Sequence, residues 1–129
     1  MSFKPVGKIE KVHDALRVDL PSWKLGTLVI AAGDIPNLLR GRIVNVNFVQ
    51  QRPGREAFVG YAGTAQLSRS GKAVNVRIEA RLMTAPLVQV RQVIAGQRTA
   101  ARLSSPAPII DADAVQREPI DAGLIRGGF

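Results

Sequence analysis

Ser68-Arg69-Ser70-Gly71-Lys72 is the stretch of this 129-residue chain that comes nearest to a known chemical device. A phosphate-cradling loop needs Gly, four intervening residues, Gly-Lys and then Ser or Thr, and it must open a helix. Here Ala73 follows Lys72, and Ser70-Gly71 separates two alternating runs, so the stretch reads as a hairpin tip. Nucleotide hydrolysis is therefore not expected, although Arg69 and Lys72 at such a tip suit contacts to phosphate. His13 is the sole histidine. With Asp14 it could suggest half of a catalytic dyad, but an adjacent residue cannot easily orient the ring and no nucleophile accompanies it. Asp111-Ala112-Asp113 with Asp121 offers too few fixed oxygen ligands for a divalent cation. No cysteine is present, which excludes disulfides and thiolate metal sites. No catalytic residue, metal or cofactor is expected.

Charge is the remaining chemistry. Eighteen basic against ten acidic residues give a net +8 and a pI near 11.1. The excess is uneven, because residues 1–103 hold sixteen basic and six acidic side chains, while residues 104–129 hold two and four. Thirteen of the bases are arginine, whose planar fork matches phosphate oxygens better than an ammonium does. A domain this basic attracts polyanions, nucleic acid first. The expected contacts are Arg52 and Arg55 on a turn, Arg69 and Lys72 on the hairpin tip, and Arg77, Arg81, Arg98 and Arg102 on or beside strands of the second half. Aromatic side chains make up only 5% of the chain, too few for a sheet that stacks several bases. Trp23 and Tyr61 are the rings expected to be exposed. Backbone contact with little base readout is the expectation, with DNA and RNA equally open.

The elements that must carry these residues follow from periodicity. Val74, Val76 and Ile78 alternate with Asn75 and Arg77, the mark of a half-buried strand. Leu82, Met83 and Ala85 form a short apolar run ended by Pro86. Leu87, Val90 and Ile94 then fall on one helical face, and Gly96 sits where a left-handed C′ residue belongs. Thr99, Ala101 and Leu103 alternate as a further strand. An earlier stretch repeats the plan: Leu16–Leu20, Thr27–Ala31, a segment over 35–40 with Asp34 as N-cap and Gly41 as stop, and a strand over 42–50. Aligned on Gly41 and Gly96, Ile35 matches Val90, Leu38 matches Val93, and Phe48 matches Leu103. The expected fold is mainly β: a small closed or partly open barrel of seven or eight strands with two short helices. It would be built from two pseudo-repeated β-β-α-β halves, about 7–50 and 57–103.

Gln51-Arg52-Pro53-Gly54-Arg55 is the turn between the halves, and Gly60 and Gly63 in the following strand mark a bulge or a barrel corner. Residues 1–103 make one barrel domain. Beyond them, Ser104-Ser105-Pro106-Ala107-Pro108 has linker composition, and residues 104–129 read as an extended C-terminal arm. No run approaches the ~20 apolar residues of a membrane span, and the opening residues lack a secretory apolar core. A cytoplasmic protein with no membrane partner is expected. Its function would be non-enzymatic nucleic-acid binding. The alternative is a structural or assembly module that forms a homo-oligomer through the arm.

Overall fold

The structure, a computed structural model, describes residues 3–106. Eight antiparallel strands follow one another around a closed barrel: β1 (Phe3–Val12), β2 (Ala15–Asp19), β3 (Thr27–Ile30), β4 (Val44–Gln50), β5 (Phe58–Leu67), β6 (Ala73–Ile78), β7 (Arg81–Pro86) and β8 (Ala100–Pro106). Each strand pairs with the next, and β8 returns to pair with β1 from Phe3↔Pro106 to Glu10↔Ala100. Helix α1 (Ile35–Leu39) fills the β3–β4 connection behind a 3-10 turn over Ala32–Asp34, and α2 (Leu87–Ile94) fills the β7–β8 connection. The architecture is thus mainly β, with eight strands and two short helices. The eighth strand runs to Pro106, so Ser104, Ser105 and Pro106 belong to the wall and not to the arm. Residues 107–129, including the Asp111, Asp113 and Asp121 cluster, lie outside the described residues.

Inward alternation builds the core. Ile9, Leu16, Val18, Leu28, Ile30, Val46, Val74, Val76, Ile78, Met83, Ala85, Ala101 and Leu103 are all essentially removed from solvent. An eight-stranded barrel is just wide enough to be filled by its own side chains, and this one is filled by apolar groups. Both helices leave from the same end of the barrel. They close it by adding Ile35 and Leu38 from α1, and Val90 and Val93 from α2, to the same core cluster. Both also stop in the same way. Gly41 and Gly96 take positive φ (89° and 77°), and their amides bond back to Leu38 and Val93 while Arg42 and Gln97 bond back to Asn37 and Gln92. Asp34 departs from expectation at the other terminus. Its backbone is already helical from the preceding 3-10 turn, and its side chain makes no capping bond.

Two irregularities bend the wall enough to close it. On β5 the pairing with β4 jumps from Val46↔Gly63 to Asn47↔Tyr61, which leaves Ala62 as an extra residue. On β1 the step from Pro5 to Gly7 does the same with Val6, so Val6, Ile9 and Val12 do not alternate in the sequence. Gly63 is fixed by contact: a Cβ there would overlap the carbonyl oxygen of Arg77 on β6. That neighbour is backbone within a paired ladder and cannot swing aside. Gly63→Ala should therefore cost about 2–3 kcal/mol and lower the thermal midpoint by on the order of 10 °C, read from a circular-dichroism melt.

Candidate functional site

The hairpin tip 68–72 is an ordered platform. Ser68 N–H donates to the Ala73 carbonyl (2.8 Å) and Gly71 N–H to the Ser68 carbonyl (2.9 Å). The serine hydroxyls finish the turn, Ser68 Oγ accepting from Ala73 N–H and Ser70 Oγ from Lys72 N–H. A tip braced on both sides holds Arg69 and Lys72 out in solvent. It joins two strands and opens no helix, as Ala73 implied.

Two bonds bring this tip, α2 and β8 together. Leu87 N–H, at the first position of α2, donates to the Lys72 carbonyl (2.9 Å). Arg102 N–H, on β8, donates to Gln89 Oε1 of α2 (2.9 Å). The surface between them forms two grooves that share Lys72. One, about 400 Å³, is lined by Lys72, Thr84, Gln89, Arg102 and Ser104; the other, about 420 Å³, runs past Leu87 and Val88 to Arg91. Lys8, the register partner of Arg102 on β1, continues the cationic surface, and Arg77 stands outward on β6. Arg98 precedes β8 at the helix-bearing end, its Nε donating to the Ala100 carbonyl (2.6 Å). Arg91 and Gln89 are absent from the expected contacts, because the 87–94 segment was weighed only for its buried stripe. Their signal was the flanks of the Leu87–Val90–Ile94 stripe, where Arg91 is exposed beside the buried face.

One acid borders this side: Glu10 on β1 stands opposite Ala100 of β8, beside the Lys8–Arg102 pair. The ion pairs found among the described residues lie on the β1–β2 hairpin: Lys8 with Glu10 (3.8 Å), and Arg17 with Glu10 (3.5 Å) and Asp19 (3.9 Å). Between residues 57 and 106 the only acid is Glu79, at the β6–β7 turn, against seven bases. Lys8 is thus paired to Glu10, whereas Arg69, Lys72, Arg77, Arg91 and Arg102 have no ion-paired acid among the described residues.

Other expected contacts are not gathered here. Arg52, Arg55, Arg81 and Trp23 sit at or near the connections of the opposite end of the barrel. Arg81 donates to Ser22 Oγ (2.8 Å), which ties the β2–β3 loop across that end. Arg52 lies over the Phe58 ring (5.6 Å) and bonds to the Glu56 carbonyl. Trp23, expected as an exposed ring, is instead packed edge-on against Phe48 (5.8 Å), with its Nε1 buried. The apolar body of the indole closes the end without helices, and that gain outweighs exposure of the ring. Tyr61 is exposed (65%), but on β5, across the barrel from β8 and β1.

Among the described residues, no three His, Asp or Glu side chains gather closely enough to hold a metal ion, and no helix is long and apolar enough to cross a membrane. The chain matches no protein-family model, no curated protein and no solved structure. The residues alone carry the functional reading. The Gln89 brace makes one measurable claim about the site's construction. Gln89→Ala should cost about 1 kcal/mol, read from the denaturation midpoint, and should speed hydrogen exchange at the Arg102 amide more than at the amides of β3.

Proposed function

We propose that this protein binds nucleic acid without catalysing a reaction on it, through arginine and lysine contacts to the phosphate backbone along the α2–β8 side of the barrel. The observation that carries the reading is the uncancelled charge there: Arg69, Lys72, Arg77, Arg91 and Arg102 stand on one side, with no acid ion-paired to them among the described residues. Cations held apart from acids keep their counterions, and releasing those counterions to solvent is the main drive for phosphate binding. The grooves add shape. Lys72 and Arg102 flank one, with Thr84 and Gln89 supplying uncharged polar groups beside them, a composition suited to phosphate and sugar and not to base edges. The exposed rings Phe58 and Tyr61 lie on β5, away from these cations, which fits the same conclusion, because a base-stacking platform would need rings beside them.

We also propose that the barrel arose by internal duplication. A constant offset of 55 residues superposes buried on buried in three successive elements: Leu28 with Met83, Leu38 with Val93, and Val46 with Ala101. The matched glycine stops of α1 and α2 support the same alignment. In that frame the groove belongs to the second copy. Asn45 and Asn47 occupy the places held later by Ala100 and Arg102, so the two copies have diverged in charge.

Titration against duplex and single-stranded DNA and RNA at several salt concentrations tests the function. Affinity should fall linearly on a log–log plot, with a slope of about −0.9 per phosphate neutralised on duplex and about −0.7 on a single strand. Lys72→Ala and Arg102→Ala should each flatten the slope by about one such increment and weaken binding to all sequences alike. Arg17→Ala, which removes a cation already paired to Glu10 and Asp19, should leave the slope unchanged. Affinity indifferent to salt, or equal losses at Arg17 and Arg102, would overturn the proposal.

A further inference from the structure

Across the barrel from β8 lies a wall of a different kind. The outward positions of β3, β4 and β5 hold valine, threonine, asparagine, glutamine and tyrosine, and no charged side chain. Val59 is 60% exposed and Tyr61 65%, with Val49 opposite Val59 and Asn47 opposite Tyr61 in register. Charge returns only at the rims. Lys24, Arg52, Arg55 and Glu56 lie in the connections beyond one end, and Asp34, Arg40 and Arg42 beyond the other, so each rim is net positive. An apolar centre with a charged rim is the arrangement of a contact surface.

The sequence itself contains a segment that fits. Residues 107–129 carry Asp111, Asp113, Glu118 and Asp121 against Arg117 and Arg126, so they are net negative where the rims are net positive. They also hold two apolar pairs, Ile109-Ile110 and Leu124-Ile125. Strand β8 delivers the chain at Pro106 to the end of the barrel where the connections bearing Lys24, Arg52 and Arg55 lie. From β8 to β4 is four strand spacings, roughly 19 Å around the wall, whereas the residues up to Leu124 span as much as ~60 Å when extended. Reach is ample, and tethering gives the segment a far higher local concentration than any free partner. A second copy is the poorer fit, since face-to-face pairing would bring one basic rim against another.

We propose that residues 107–129 dock on the uncharged β3–β5 wall of their own chain, with Leu124-Ile125 against Val59 and Tyr61. The acids between the two apolar pairs then lie near Arg52 and Arg55. The proposal is independent of the phosphate-binding face, because it concerns the opposite side of the barrel.

Tyr61 is the only tyrosine and so reports on the wall directly. The test compares the rate of tyrosine nitration by tetranitromethane in the full chain and in the full-length Leu124→Asp/Ile125→Asp variant. Molecular mass is measured in parallel by light scattering. If the segment is docked about 80% of the time, Tyr61 should react roughly fivefold more slowly in the parent chain than in the variant. The parent should also have a monomer mass of 13.9 kDa. Equal nitration rates would overturn the proposal. So would a dimeric mass, which would assign the wall to a second copy. The substitutions lie outside the described residues, and a thermal melt of each protein verifies that both are folded. Nitration and mass are read without nucleic acid, so failure here leaves the phosphate-binding proposal standing.

Discussion

Pairing of β1 with β8 is the constraint from which the rest of the molecule follows. Until those two strands meet, β1 and β8 are open edges and the apolar faces of all eight strands form a curved, half-wet sheet. Once they meet, Ile9, Ala101 and Leu103 close the ring around Val46, Val76 and Met83, and the interior becomes continuous. The pairing joins the first residues described to the last, so the loop it closes spans nearly the whole barrel. Its entropy is lost late and is offset by burying the whole core. Pro5 and Gly7 lie within this seam, where Val6 bulges out of register and lets β1 bend to meet its partner.

Closure also determines what kind of contact the protein can make. The interior is packed with apolar groups, so partners must be met by side chains on the outer wall. That wall is divided: acids and their ion pairs on β1 and β2, uncharged residues on β3 to β5, and uncancelled cations from the β5–β6 tip through α2 to β8. The helices contribute to the division. By filling one end with Leu38 and Val93, they leave their solvent faces free, and Arg91 on α2 extends the cationic groove.

Much of this was legible in the residues. Alternation located the strands to within a few residues, and Pro86 and Gly96 delimited α2 closely, because each signal is local. The β8 boundary was misplaced at Leu103, since Ser104-Ser105-Pro106 has loop composition. It is held in the wall by Pro5, Lys4 and Phe3 across the seam, a long-range partner that no local pattern reveals. Trp23 was misjudged for a related reason. A ring beside Lys24 in a polar turn looks wet until the loop is seen folding over Phe48. The expected charged residues fall into two groups, because barrel curvature splits them between two ends, and register around a closed sheet cannot be read from one strand at a time. Arg91 shows the converse, a residue readable from helical spacing once the helix is viewed from outside.

The seam has a mechanical consequence as well. Because β1 begins where β8 finishes, a pull on the two ends acts across the pair and not along it. Antiparallel rungs loaded in this direction break one after another, as a zipper opens, and each break exposes the next. The barrel should therefore yield rung by rung when stretched from its ends, despite the length of the β1–β8 ladder. A translocating or unfolding machine that grips either end would open the β1–β8 ladder from its first rung, Phe3 with Pro106.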